Sequence, residues 1–174
     1  MKRIVTVQDI SCVGRCSLTV ALPIISAMGV ETSVLPTAVL SSHTLFPHPA
    51  FCDLTGEIPA ITAHWREIGV TFHGIYTGYL GSLRQLVLIS DFIDEFRGDG
   101  FVFIDPVMGD HGRLYSGFTD EFVSQMRQFC GKGGGNNGDR GHGVGKGKGC
   151  NDVPGHLGPD NNPKTAHPVF GGCW

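Results

Sequence analysis

The sequence predicts an α/β protein built on a doubly wound, mainly parallel sheet with helices on both faces, and three observations carry that prediction. Short β-branched runs such as "RIVTVQ" alternate with stretches whose apolar residues recur at helical spacing. The segments joining one strand-like run to the next are long enough to hold a helix, as a right-handed parallel crossover demands. Polar residues gather just past the strand-like runs, on the rim where sheets of this kind bind ligands.

Each element follows in order. "RIVTVQ" (Arg3 to Gln8) is short, apolar and β-branched, as a buried strand should be, and "DISCVGRCS" is a turn of small and polar residues. A helix is expected over Ser17 to Met28, ended by Gly29, with Pro23 kinking it or delaying its start. "ETSVLPTAVL" reads as a second strand leading into the polar corner "SSHT". From Gly56 to Ile68, residues Ile58, Ile61, Trp65 and Ile68 share one helical face. "FHGIYTGYLG" is a strand entering a glycine-containing turn, and Leu86, Ile89, Ile93 and Phe96 mark the next amphipathic helix. "GFVFIDPVMGD" is a strand stopped by Asp-Pro, and a last helix covers Thr119 to Phe129.

Bulk composition narrows the function. A chain of 174 residues, 41% hydrophobic, can bury one ordinary core. A formal charge of -3 gives no broad basic field, so no nucleic-acid partner is expected. No apolar run approaches the roughly 20 residues of a membrane span. The opening "MKRIVTVQDI" is interrupted by Gln8 and Asp9 and reads as a strand, not a secretory signal. Six cysteines without such a signal are expected to be reduced thiols of a cytoplasmic protein.

The polar clusters on the predicted rim are Gln8 to Ser11, Ser41 to Thr44, Thr77 to Tyr79 and Asp105 to Asp110. In "DPVMGD", Asp105 ends a strand and Asp110 follows across a turn fixed by Pro106 and Gly109. Two carboxylates at a cleft mouth suit magnesium held through water beside a nucleotide phosphate; a strand-ending turn uses the same residues. "SSHT" offers hydroxyls and the His43 imidazole to a small polar ligand, or caps a helix. Tyr79 stands beside glycines that let a ligand approach the backbone, and its ring either stacks on a planar ligand or fills core. Cys12 and Cys16 lack a zinc spacing, and no nucleophile elbow or dinucleotide fingerprint is present.

Taken together, "VQDISCVGRCSLTVALPIISAMG", "LPTAVLSSHT", "YTGYLGS" and "IDPVMGDHGRLY" resemble the pyridoxal kinase branch of the ribokinase-like superfamily, over Met1 to Lys132. "DPVMGD" alone also fits the related hydroxymethylpyrimidine kinases; "SHT" followed by "GYLGS" favours the pyridoxal branch. The resemblance implies transfer of the γ-phosphoryl group of ATP, with Mg2+, to the 5′-hydroxyl of pyridoxal, pyridoxine or pyridoxamine by a homodimeric enzyme. It places Asp9, Ser11, His43, Thr44 and Tyr79 on the vitamer side. Asp9 stands where many members have a serine facing the pyridine nitrogen, and a carboxylate there pairs with a protonated ring. Thr44 matches the residue near the phenolic oxygen, with His43 beside it. Asp105 and Asp110 match the acidic residues near the phosphates and magnesium, and Tyr115 closes over them.

The resemblance also implies a second half with Gly-x-Gly-Asp at a helix N-terminus, the Asp being the general base. That motif is absent from "GKGGGNNGDRGHGVGKGKGC", in which "GD" has neither a preceding strand nor a following apolar helix. A phosphate loop needs both, because they hold its amides in place. The expectation is therefore an incomplete ribokinase-like domain over 1–132 and a low-complexity tail over 133–174, disordered or read out of frame. Little or no kinase activity is expected of such a chain, and a non-catalytic vitamer-binding fragment is the alternative.

Overall fold

In a computed structural model the described residues are 1–44, 46–110, 113–115 and 117–135. The glycine-rich stretch lies outside them from residue 136 onward. The elements are β1 (Arg3–Ser11), α1 (Leu18–Ala27), β2 (Glu31–Leu40), β3 (Phe51–Asp53), α2 (Ile58–Glu67), β4 (Gly74–Thr77), α3 (Leu83–Phe96) and β5 (Phe101–Ile104). A two-residue hairpin follows, β6 (Gly109–Asp110) and β7 (Arg113–Leu114), and then α4 (Asp120–Cys130).

The five-stranded sheet has the order β3-β2-β1-β4-β5. β2 and β4 flank β1 in parallel, β5 continues in parallel beyond β4, and β3 closes the other edge antiparallel. The predicted α/β class is what is observed. β1 lies at the centre, which is why its run from Ile4 to Gln8 is continuously buried.

Side-chain alternation divides the sheet into two unequal faces. Val5, Val7, Leu35, Ile75, Val102 and Ile104 point into one core with α2, α3 and α4. Fully buried Ile89 and Ile93 on α3 each contribute roughly 1.5–3 kcal/mol there. Trp65, Phe72, Phe92 and Phe96 form an aromatic cluster under α2 and α3, with Phe92 and Phe96 stacked at 4.8 Å. Among the described residues α1 packs on the other face, against β1 and β2. Over β4 and β5 it stays open: Phe101 and Phe103 are 51% and 40% exposed, and Tyr76 stands edge-on to Phe103 at 5.3 Å.

Local chemistry sets the helix ends. The Ser82 hydroxyl accepts from the Gln85 N–H at 3.2 Å, and the Thr119 hydroxyl from the Phe122 N–H at 3.2 Å. Asp120 and Glu121 complement the positive end of α4. Pro23 sits within α1, which begins at Leu18 and not after the proline.

Three features differ from the sequence expectation. β3 is an extra strand, held by pairing Ala38–Leu40 with Phe51–Asp53. Asp110 lies in a hairpin strand paired with Arg113, not simply across a turn from Asp105. Gly134, just past the boundary expected at Lys132, exchanges backbone hydrogen bonds with Val102 at 3.0 and 2.8 Å. Among the described residues no helix is long and apolar enough to cross a membrane.

Candidate functional site

Register brings the strand ends level: Val7 lies opposite Thr77, and Thr77 opposite Ile104. Residues just beyond these positions therefore meet on one rim. At that level the pairing of β1 with β2 slips, from Gln8–Pro36 to Ile10–Val39. Thr37 and Ala38 thus stand opposite Asp9 alone, a bulge that re-aims side chains at the rim.

Asp9 and Ser11 are both buried, and the Ser11 hydroxyl donates to the Asp9 carboxylate at 3.1 Å. Tyr79 lies across from them. Burial, then the negative charges of Asp9 and Asp53, push its phenol above the ordinary tyrosine range. Its ring packs over Gly81, where a Cβ would come within 3.2 Å of it, and faces Phe118 at 5.9 Å. So three of the predicted vitamer-side residues, Asp9, Ser11 and Tyr79, form one group. Asp53 belongs to it too; Thr55 donates to Asp53 through both its hydroxyl and its amide, which holds that carboxyl below the usual range.

His43 and Thr44 sit in the corner after β2, at the next strand end. The His43 N–H donates to the Val13 carbonyl at 3.0 Å, which ties this corner to the β1–α1 loop. Its ring points edge-on at Gly14: a Cβ there would be 2.1 Å from His43 Cδ2, and the backbone has φ +112°. Only glycine serves both conditions. Thr44 is exposed on the rim.

Asp105 follows β5, its N–H donating to the Thr77 carbonyl at 3.0 Å. Burial pushes its carboxyl up to about 6. Its neighbour is Tyr76, whose phenol is raised by burial and then by the Asp105 charge. Gln8 and Asp105 thus mark the side of the sheet that bears Tyr76, while Asp9 and Tyr79 occupy the other. Gln8 Nε2 is buried beside the Tyr76 phenol, and its amide offsets part of that upward shift. The Asp110 backbone pairs with Arg113, and the Tyr115 N–H donates to the Met108 carbonyl at 2.9 Å, with its ring 6.5 Å from Phe118.

The one observation that bears on the expected magnesium is the Asp105 carboxyl. Among the described residues no three His, Cys, Asp or Glu side chains gather to hold a metal directly. Mg2+ beside phosphates needs only one or two carboxylates and otherwise water. A carboxyl raised by uncompensated burial, as at Asp105, is one that a nearby cation stabilises in its charged form.

Sequence reasoning missed Gln85, Thr37, Asp53, Thr55 and Tyr76. One signal for Gln85 was present, since it precedes Ile89 and Phe92 by one and two helical turns and so falls on the buried stripe of α3.

No protein-family model matches the chain. It is 31% identical over 137 residues to the pyridoxine/pyridoxal/pyridoxamine kinase of Bordetella avium, covering 73% of this chain and 44% of that one. A Bacteroides thetaiotaomicron protein provisionally assigned as a phosphomethylpyrimidine kinase and crystallised with pyridoxal is 52% identical with a TM-score of 0.73. That match covers 76% of this chain and 46% of the other. Pyridoxal kinase from Lactobacillus plantarum superposes with a TM-score of 0.71 at 35% identity, over 75% and 47% of the two chains. The chain spans less than half the length of the curated relatives it matches. It is a pyridoxal kinase-like protein of the ribokinase superfamily, matched over part of the length of those kinases.

Proposed function

We propose that this chain carries the vitamer-binding rim of an ATP-dependent kinase acting on the 5′-hydroxyl of pyridoxal, pyridoxine or pyridoxamine. One observation carries the reading: Asp9, Ser11 and Tyr79 converge at the strand ends of a chain 52% identical to a protein crystallised with pyridoxal. Asp9, buried and already accepting from Ser11, receives a protonated pyridine nitrogen as a charge-assisted donor. Tyr79 lines the ring's flank, and His43 and Thr44 take its phenolic oxygen. Asp105 and Asp110 stand on the phosphate side, with Tyr115 over them. Mg2+ supplies charge neutralisation at the phosphates when bound. Such a site works by positioning and electrostatics, which carry most of phosphoryl transfer. Cytoplasmic residence and a homodimer belong to the same proposal.

No described residue takes the part of general base in this reading, so the 174-residue chain should bind a vitamer yet turn over poorly with ATP and Mg2+. Calorimetric titration with pyridoxine tests the binding: Asp9→Asn should weaken it roughly tenfold or more through loss of the charged acceptor. The phosphomethylpyrimidine kinase assignment of the Bacteroides neighbour favours a second reading, a hydroxymethylpyrimidine kinase. Binding of hydroxymethylpyrimidine but not pyridoxine establishes that reading; binding of neither ends both.

A further inference from the structure

We infer that Gln85 is a positioning residue for the vitamer pocket, holding Tyr79 in place from beneath; as a statement about ligand binding, this rests on the function proposed above. Gln85 is 2% exposed in the first turn of α3, a costly place for an amide. Its side-chain contacts all serve the rim, one of them a longer approach of Nε2 to Asp53 Oδ1 at 3.4 Å. Its Oε1 accepts from the Gly81 N–H at 2.7 Å. Its Nε2 donates to the Thr37 carbonyl at 3.0 Å and to the Thr55 hydroxyl at 2.8 Å. Thr37 in turn donates through its hydroxyl to the Tyr79 carbonyl at 3.1 Å. One side chain therefore ties the bulged end of β2, the segment after β3 and the β4–α3 loop together. Tyr79 is gripped at both ends of that loop, by Thr37 at its own carbonyl and by Gln85 at Gly81, over which its ring lies. An amide, with a donor and an acceptor at once, is what the two kinds of rim backbone group require.

The test uses the 174-residue chain with Gln85→Leu, Thr37→Val and Thr37→Ser, alone and combined with Tyr79→Ala. Gln85→Leu and Thr37→Val should each weaken pyridoxine binding roughly tenfold, and Thr37→Ser should restore it. Tyr79→Ala should cost much less in the Gln85→Leu background than in the wild type, the non-additivity of residues acting as a unit. Additive losses, or unchanged affinity in a folded Gln85→Leu protein, overturn the inference. Amide exchange separates this from failure of the proposed function, since it needs no ligand. Gln85→Leu, or Thr37→Val should the first not fold, should speed exchange over residues 78–82 by tenfold or more. Residues 88–95 should remain protected. Uniform acceleration of both segments makes Gln85 merely structural, whether or not pyridoxine binds.

Discussion

Replacing Asp105 by asparagine keeps the shape of the side chain and removes its charge. Burial has moved this carboxyl from 3.8 to about 6. At 1.36 kcal/mol per tenfold, that displacement sets a ceiling of roughly 3 kcal/mol on the cost of its ionisation in the fold. The group is only partly buried, so water takes a share, and about 1–3 kcal/mol is expected. The sign follows from proton counting. Between pH 4 and pH 6, roughly, the native state holds a proton that the unfolded chain has released, so stability falls as pH rises through that window. The penalty is complete above about pH 6 and absent below about pH 4. Asp105→Asn should therefore stabilise the protein at pH 8 and leave it unchanged near pH 4. With a urea slope of roughly 1–3 kcal/mol/M, the midpoint at pH 8 should rise by about 0.3–3 M. The Tyr76 phenol should also titrate closer to its ordinary range once the neighbouring charge is gone. An asparagine variant less stable than wild type at pH 8, or shifted equally at both pH values, refutes the reasoning.

Other expectations follow from packing. Gly14→Ala meets both a left-handed backbone and a 2.1 Å contact with His43, so it should cost about 1–3 kcal/mol and shift the His43 ring resonances. An unchanged melting temperature with unmoved His43 signals would remove His43 from that packing. On α3, Ile89→Ala should cost about 2–5 kcal/mol, while exposed Val87→Ala should stay within about 0.5 kcal/mol. Chemical denaturation of the two variants checks which side of the helix faces the core.

The elements most legible in the sequence were those with a local cause. The β-branched run of β1 and the helical recurrence of Leu86, Ile89, Ile93 and Phe96 name their structures without help from distant residues. β3 was not legible, because three exposed residues carry no pattern and become a strand only by pairing with β2. Pro23 failed to delay α1 because packing of that helix on β1 and β2 outweighs a local preference. In the proposed site, Asp9, Tyr79 and Asp105 were visible as polar residues after strand-like runs, since a parallel sheet delivers its strand ends to one rim.

By itself the sequence determined the alternation of β1, β2, β4 and β5 with the four helices and the polar residues that follow those strands, Asp9, His43, Tyr79 and Asp105 among them, because periodicity and strand ends are local properties. Only the tertiary structure decided which side chains meet there. Gln85 reaches Thr37 across 48 residues and Thr55 across 30, and Asp105 gains its altered titration from burial alone. Hydrogen-bond partners and desolvation are properties of neighbours in space, and chain folding creates those neighbours.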